Sequence, residues 1–422
     1  MAAEGSGPSR GLVLNPLRGL RYDPGRVSSL AAVTSPPYDV LDADAVLALE
    51  SLDPHNVVRL ILPRAEESGP EGRYEHAART LRSWLAEGVL VPDDSPALYV
   101  YEQAAGGAVT QRGVIGALAL RDPDERIVLP HEDVMPGPVA DRLELMRAAR
   151  ANVEPILLMC SGADATATIV ERVVRDSEPA LVATGRDGVT HRLWQLVDPG
   201  DVAAVQSDLH DRQALIADGH HRYAAYRQLQ RELGLDGAGP WDEGLALVVD
   251  LRANPPYVGA IHRTVDGAST MELVAAAKDL FDAEPLTLES VPQRLARLQE
   301  GELLVVDADA AAVLTVREAE KVAALVTAHH PDQWARLDTA VLHQVLVDDI
   351  LHAEEAAISY HHDPAQALAY VGRRPALAVL LAPVPVELVL EIAAAGVRMP
   401  RKSTSFGPKP RTGLLLRSFD LA

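Results

Sequence analysis

Along this chain the apolar residues recur at two spacings, every second position in some stretches and every third or fourth in others, which predicts strands and helices in mixed order. Asn56-Val-Val-Arg-Leu-Ile-Leu is a short apolar run closed by Pro63 and predicts a buried strand. From Arg73 to Glu87, the positions of Ala77, Leu81, Trp84 and Leu85 share one helical face, and the pattern stops near Gly88. Ala97 to Gln103 and Gly113 to Leu120 are β-like runs on either side of Gly106-Gly107, a predicted hairpin. Farther on, Ala214-Leu-Ile-Ala is an apolar strand that runs through Asp218-Gly219 into an amphipathic helix of about a dozen residues. From Met271 to Leu351 the pattern predicts a helix, a hairpin (Glu302 to Val306 and Ala312 to Val316) and a further helical stretch. The tail reads as a strand from Ala376 to Ala382, a helix from Val386 to Ala395 ending at Gly396, and a last strand from Thr412 to Arg417.

The class predicted is therefore α+β, with an N-terminal α+β module over 1–120, a core over 121–265 and a C-terminal strand-helix-strand region over 266–422. With 422 residues, 48% of them hydrophobic, the chain is long enough for a substantial interior. Its net charge of −21 disfavours nucleic acid and anionic membranes as partners, since neither a basic face nor a helix-turn-helix pattern offsets it. Small anionic ligands stay compatible with it. The stretch Met1 to Gly19 lacks the apolar run of an export signal, and no run is long enough for a spanning helix. One cysteine, Cys160, excludes an internal disulfide framework and fits a reducing compartment, so the cytoplasm is the expected location. Cys160 itself lies in a predicted buried strand and reads as packing.

Three segments carry candidate chemistry. Asp218-Gly219-His220-His221-Arg222 opens a helix, where unpaired N–H groups and the positive end of the helix dipole favour an anion. Gly219 permits close approach, His220, His221 and Arg222 add donors, and Asp218 is suited to hold a metal ion or take a proton. The plain alternative is an aspartate cap followed by exposed polar residues. Pro130-His131-Glu132-Asp133 places a carboxylate in a loop, followed by Asp141-Arg142 opening a helix and by Arg147, Arg150 and Asn152. Aimed at a hydroxyl, Glu132 would act as a general base; Arg147 and Arg150 read better as a solvated helical face. Met399-Pro-Arg-Lys-Ser-Thr-Ser-Phe-Gly-Pro-Lys-Pro-Arg-Thr-Gly is a basic, hydroxyl-rich loop in an acidic chain, and Lys402, Ser403, Thr404, Ser405 and Lys409 are its donors for phosphate or a substrate carboxylate. Tyr38 and Asp39, after Ser35-Pro-Pro, are further pocket candidates, as are His131, Arg142 and Asn152. The scattered histidines, including His329-His330, His343 and His361-His362, have no metal-ligand spacing.

Asp218-Gly219-His220-His221-Arg222 resembles the phosphate-binding turn of the ParB/sulfiredoxin-like superfamily, and within it the chain looks most like the free-serine kinases. Pro130-His131-Glu132 resembles the kinase loop that supplies the catalytic glutamate, and Pro400-Arg-Lys-Ser-Thr-Ser-Phe-Gly-Pro resembles the C-terminal substrate loop. The chain also looks like a large prokaryotic family defined only as a domain of unknown function, which combines these motifs with Pro36-Pro37-Tyr38-Asp39-Val40. The resemblance implies a ParB/sulfiredoxin-like nucleotide-binding core and a kinase that phosphorylates free L-serine to O-phospho-L-serine, with ATP or ADP as donor and Mg²⁺ as cofactor. It assigns Glu132 and Asp218 as catalytic, Asp218 near Mg²⁺, and gives Gly219, His220, His221 and Arg222 the donor phosphates. Ser403 and Thr404 would face the amino acid, with Lys402 and Lys409 assisting. The sulfiredoxin thiol is replaced by His220, and a non-catalytic ParB-like nucleotide-binding regulator is the competing expectation. Residues 1–120 have no counterpart in the smaller kinases, and the oligomeric state is left open.

Overall fold

Strand Glu243–Asp250 is buried along nearly its whole length, which a strand achieves only when other strands flank it and helices cover it. A computed structural model describes residues 11–65 and 72–421 and bears this out. The first ten residues, part of the stretch read above as lacking an export signal, lie outside the described residues. Glu243–Asp250 runs parallel to Ile156–Cys160 and antiparallel to Ala108–Ala119. The resulting mixed sheet runs in the order Val128–Leu129, Ala214–Asp218, Ile156–Cys160, Glu243–Asp250, Ala108–Ala119, Leu98–Ala105, Thr190–Leu196 and Leu181–Thr184, with Leu14–Asn15 added against Ala108–Ala119. Strands from both sides of residue 120 thus share one sheet. The hairpin predicted at Gly106-Gly107 is present: Ala105 pairs with Ala108, and both glycines have positive φ, 57° and 83°.

The chain divides into two compact units. The first comprises residues up to Pro130, Val134–Pro256 and Pro408 onward; the second comprises His131–Asp133 and Tyr257–Gly407. In the first, helices Pro136–Ala149 and His220–Leu233 pack together, and Tyr223, Tyr226 and Leu229 of the latter join Ile156, Leu158 and Ile216 in the core. A smaller sheet in the same unit pairs Gly19–Tyr22 with Leu90–Pro92 and Leu416–Ser418, and Leu416–Ser418 with Ala151–Asn152. The second unit is built on a fully antiparallel sheet in the order Phe281–Leu286, Ala311–Val316, Glu302–Val306, Ala376–Leu381, His262–Asp266 and Ile358–His361. A separate pair joins Tyr257–Gly259 to Ser405–Gly407. Val341–Leu351 in this unit is a wide π-helical stretch that ends at His352, φ 51°.

Three local expectations need correction. The run Asn56–Leu62 is not a strand, because Val58–Ile61 form a helical turn. Asn56 Oδ1 accepts from the Val58 N–H at 2.9 Å and its Nδ2 donates to the Ala32 carbonyl at 2.6 Å, so the side chain starts a turn where the apolar run alone suggested extension. Asp141 and Arg142 sit within helix Pro136–Ala149 and do not open it; Pro136 does, at the first helical position where its missing N–H costs nothing. The last strand is Leu416–Ser418, shorter and later than expected, since Gly413 at φ 92° breaks the extended path after Thr412. Among the described residues no helix is long and apolar enough to cross a membrane.

Candidate functional site

In the first unit, strand Ala214–Asp218 is buried throughout and delivers Asp218 to the start of helix His220–Leu233. Gly219 between them has φ 94°, and a Cβ there would lie 2.8 Å from the Ile156 side chain, so both the conformation and the space require glycine. One turn into the helix, Arg222 reaches back to the Asp218 carboxylate while its Nη1 donates to the Pro155 carbonyl at 2.6 Å. Lys409 Nζ lies 2.6 Å from Asp218 Oδ1 and also pairs with Asp39, so one ammonium joins two carboxylates. Burial would push the Asp218 carboxyl up, but Lys409 and Arg222 outweigh it and hold the pKa below the ordinary value. Lys409 is raised in turn: burial opposes its charge, and Asp218 and Asp39 more than offset that.

Tyr38 lies under this pair, with the Arg142 guanidinium 4.2 Å and that of Arg222 5.9 Å from its ring centre. Burial raises the phenol to about 12, against the pull of the two arginines. Glu154, which sequence reasoning missed, ties these parts together. It is 2% exposed, accepts from the Tyr38 N–H at 3.1 Å and from Thr412 Oγ1 at 3.2 Å, and lies 3.7 Å from Arg142 Nη1. His221 is half-buried and its Nε2 accepts from the Met135 N–H at 3.1 Å, and His220 is half-buried beside it. Asn152 belongs to another network: its Oδ1 accepts from the Leu245 N–H and from Arg417, at 3.2 and 3.3 Å.

The second unit carries Glu132. The backbone there runs beside Met399, whose N–H donates to the His131 carbonyl at 2.7 Å. The Glu132 carboxylate accepts the backbone N–H groups of Ser403 and Thr404, yet its Oε1 has no hydrogen-bond partner among the described residues. Among the described residues no lysine or arginine is in ion-pair contact with it; His131 Nε2 stands 4.0 Å away and meets Thr404 Oγ1 at 2.9 Å. Burial raises this carboxyl to about 7, only partly countered by Lys402, the two N–H groups and Arg263.

Arg263 is the second residue the sequence reading missed. It is 0% exposed on an inner strand, and among the described residues its guanidinium forms no ion pair with a carboxylate. Its Nε donates to His343 Nε2 at 3.1 Å, its Nη2 to the Lys402 carbonyl at 2.9 Å and its Nη1 to the Ile261 carbonyl. Burial lowers its pKa to about 10. The Lys402 carbonyl can face it because Lys402 takes φ 59°, in the left-handed region. Ser403 donates to the Pro400 carbonyl at 2.6 Å and meets Thr339 at 3.1 Å, and Ser405 meets His362 Nδ1 at 3.2 Å. The loop hydroxyls are thus engaged within the loop and its neighbours, and what Ser403 and Thr404 give Glu132 is backbone N–H.

Of the residues singled out from sequence, Tyr38, Asp39, Arg142, Asp218, Gly219, Arg222 and Lys409 gather in the first unit. His131, Glu132, Lys402, Ser403 and Thr404 gather in the second, so the basic loop is divided, with Lys409 joining Asp218. The signal for Arg263 was faint, a cation between His262 and Thr264 in a strand with one apolar residue, and for Glu154 it was a carboxylate immediately before an apolar run.

The chain belongs to the family described as a protein of unknown function, DUF1015, whose model matches residues 14–340. No curated protein matches it. Among solved structures it is similar to C-terminally truncated SbnI from Staphylococcus aureus, at 11% identity and TM-score 0.37 over 69% of this chain and 82% of that one. A free serine kinase variant in complex with ADP gives 15% identity and TM-score 0.36 over 74% and 94%. A conserved hypothetical protein from Pyrococcus furiosus gives 16% and 0.35 over 74% and 97%.

Proposed function

We propose that this protein is a nucleotide-dependent phosphotransferase with a ParB/sulfiredoxin-like core, moving the terminal phosphoryl group of ATP or ADP to the hydroxyl of free L-serine. The observation that carries this reading is Glu132: a largely buried carboxyl whose pKa of about 7 suits a general base at neutral pH, with one oxygen left without a hydrogen-bond partner among the described residues. Glu132 takes the hydroxyl proton as the serine oxygen bonds to phosphorus. The bridging P–O bond of the donor breaks, and ADP or AMP leaves with the electron pair. Arg222, Lys409 and the helix start at Gly219 are the cationic and N–H groups suited to nucleotide phosphates. Asp218 and Asp39 already converge on one cation, the Lys409 ammonium. Such oxygen ligands fit Mg²⁺ in the form in which one or two carboxylates and the nucleotide phosphates share it. Mg²⁺ would there neutralise the charge on the transferring group.

Mass spectrometry of a mixture of protein, Mg²⁺, L-serine and either ATP or ADP tests the reading. O-Phospho-L-serine is the expected product; no phosphorylated product from serine, threonine or homoserine with either donor would overturn it. Glu132→Gln is expected to lower turnover about 10²- to 10⁴-fold with nucleotide affinity unchanged. An equal loss of binding and rate contradicts the role.

A further inference from the structure

Arg263 stands on strand His262–Asp266, between Ile358–His361 and Ala376–Leu381, and is wholly buried. A charge taken out of water carries a penalty that an apolar side chain in its place would not. The usual remedy is a carboxylate, but among the described residues none is in ion-pair contact with this guanidinium. Its forked donors go to neutral acceptors on three segments: Nε to His343 Nε2 at 3.1 Å, Nη1 to the Ile261 carbonyl and Nη2 to the Lys402 carbonyl at 2.9 Å. Tyr360 adds its ring face, 5.2 Å from the guanidinium carbon. A guanidinium only donates, so His343 Nε2 accepts, from a neutral ring. Burial first, and then Arg263, lower both His343 and His262 to about 4, so neither changes charge near pH 7.

The Lys402 carbonyl is the acceptor that leads to Glu132. It shares a planar peptide group with the Ser403 N–H, and the two point in opposite directions across that plane. Arg263 holds the oxygen end, while the Glu132 carboxylate accepts from the nitrogen end and from the next N–H, that of Thr404. A donor at one end of an amide and an anion at the other polarise it in the same sense, so each bond strengthens the other. The turn needs such support. Lys402 takes φ 59°, uncommon for any residue but glycine, and its exposed side chain gives no core packing to hold it there. The Ser403 hydroxyl closes the turn on the Pro400 carbonyl at 2.6 Å, which leaves Arg263 to fix the orientation of the peptide. We propose that Arg263 is a positioning residue for Glu132: by gripping the oxygen of the Lys402–Ser403 peptide it aims the N–H of that peptide at the carboxylate. The role bears on catalysis only under the reading that Glu132 is the base.

Carbon-13 NMR of the Glu132 carboxyl against pH, in the full chain without nucleotide or serine, tests it. Arg263→Lys keeps the positive charge and loses the fork. The N–H bonds favour the ionised carboxylate, so loosening them is expected to raise the Glu132 midpoint above about 7, by about tenfold in proton affinity for one lost hydrogen bond to a charged group. Glycine takes positive φ freely, so a chain already carrying Lys402→Gly should depend less on Arg263. Adding Arg263→Lys to it should move the midpoint by less than in the parent. An unmoved midpoint in the parent, or an equal movement in both backgrounds, overturns the proposal, because a residue that only supports the fold would give one or the other. Should Arg263→Lys not fold, Lys402→Val is compared with Lys402→Gly: both remove the ammonium, but a β-branched residue is strained at positive φ. The first is expected to hold the Glu132 proton about tenfold more tightly than the second, with faster exchange of the Arg263 guanidinium protons; equal midpoints or unchanged exchange overturn the proposal. A protein that shows these shifts yet makes no O-phospho-L-serine keeps Arg263 in this place and removes Glu132 as base. An active one whose midpoint ignores Arg263→Lys does the reverse.

Discussion

Asp218 and Glu132 are both largely removed from water, yet they sit in opposite electrostatic surroundings. Asp218 has a guanidinium and an ammonium against its oxygens, and these outweigh burial and keep it ionised. Glu132 has two backbone N–H groups and, among the described residues, no lysine or arginine in ion-pair contact, so burial prevails over the pull of Lys402 and Arg263 and raises its carboxyl to about 7. The difference teaches which acid suits which task. A carboxylate locked in ion pairs is a fixed negative charge that organises cations. One held near its own pKa can take up and release a proton at little cost.

The contrast is easiest to break at Asp218. Asp218→Asn leaves Arg222 and Lys409 buried without their shared counter-charge, and removing one partner of a buried ion pair typically costs about 3–5 kcal/mol. Urea denaturation at pH 7 should show a loss of that order; a change below about 1 kcal/mol, the worth of an exposed pair, would mean the cluster is not the buried network described.

Glu132 makes a subtler prediction, in pH. Below the ordinary glutamate value of 4.5 the carboxyl is protonated in both folded and unfolded chains. Between there and about 7 the unfolded chain gives up a proton that the folded one keeps, so the contribution of Glu132 to stability falls as pH rises and levels off above 7. Glu132→Gln removes that dependence. Its melting temperature relative to the parent should therefore rise between pH 5 and pH 8, and a constant or falling difference would count against the raised pKa.

The smallest effect is expected at Ser403, whose hydroxyl donates to the Pro400 carbonyl. Ser403→Ala should cost about 1 kcal/mol of stability and leave the backbone N–H at Glu132 in place. A large loss of amino-acid affinity would instead return this hydroxyl to substrate binding.

How much of this was legible in the sequence follows from how local each cause is. The turn at 214–222 was readable because five buried positions, a glycine and an amphipathic helix are consecutive. The hairpin at Gly106-Gly107 was readable for the same reason. Asn56–Leu62 was misread because an apolar run of that length suits a buried helical turn as well as a strand, and the deciding hydrogen bond runs from Asn56 to Ala32. Arg263 and Glu154 were passed over because neither belongs to a recognisable motif, Arg263 standing between His262 and Thr264 and Glu154 just before an apolar run, and their deciding partners lie far away in sequence. The separation of Lys409 from Lys402 was invisible for the opposite reason, since adjacency in a loop suggested a common task. Nothing in the pattern of Val341–Leu351 distinguishes π from α winding, so the approach of His343 to Arg263 could be found only in space.

The contrast between the two acids is read most directly by carbon-13 NMR of side-chain carboxyls in protein labelled at glutamate, titrated with pH and compared with Glu132→Gln. One resonance titrating near 7 in the parent and missing from the variant is the predicted result. If every glutamate in the parent titrates below about 5, within the ordinary spread for exposed groups, Glu132 is a permanent anion and the proposed proton transfer is contradicted.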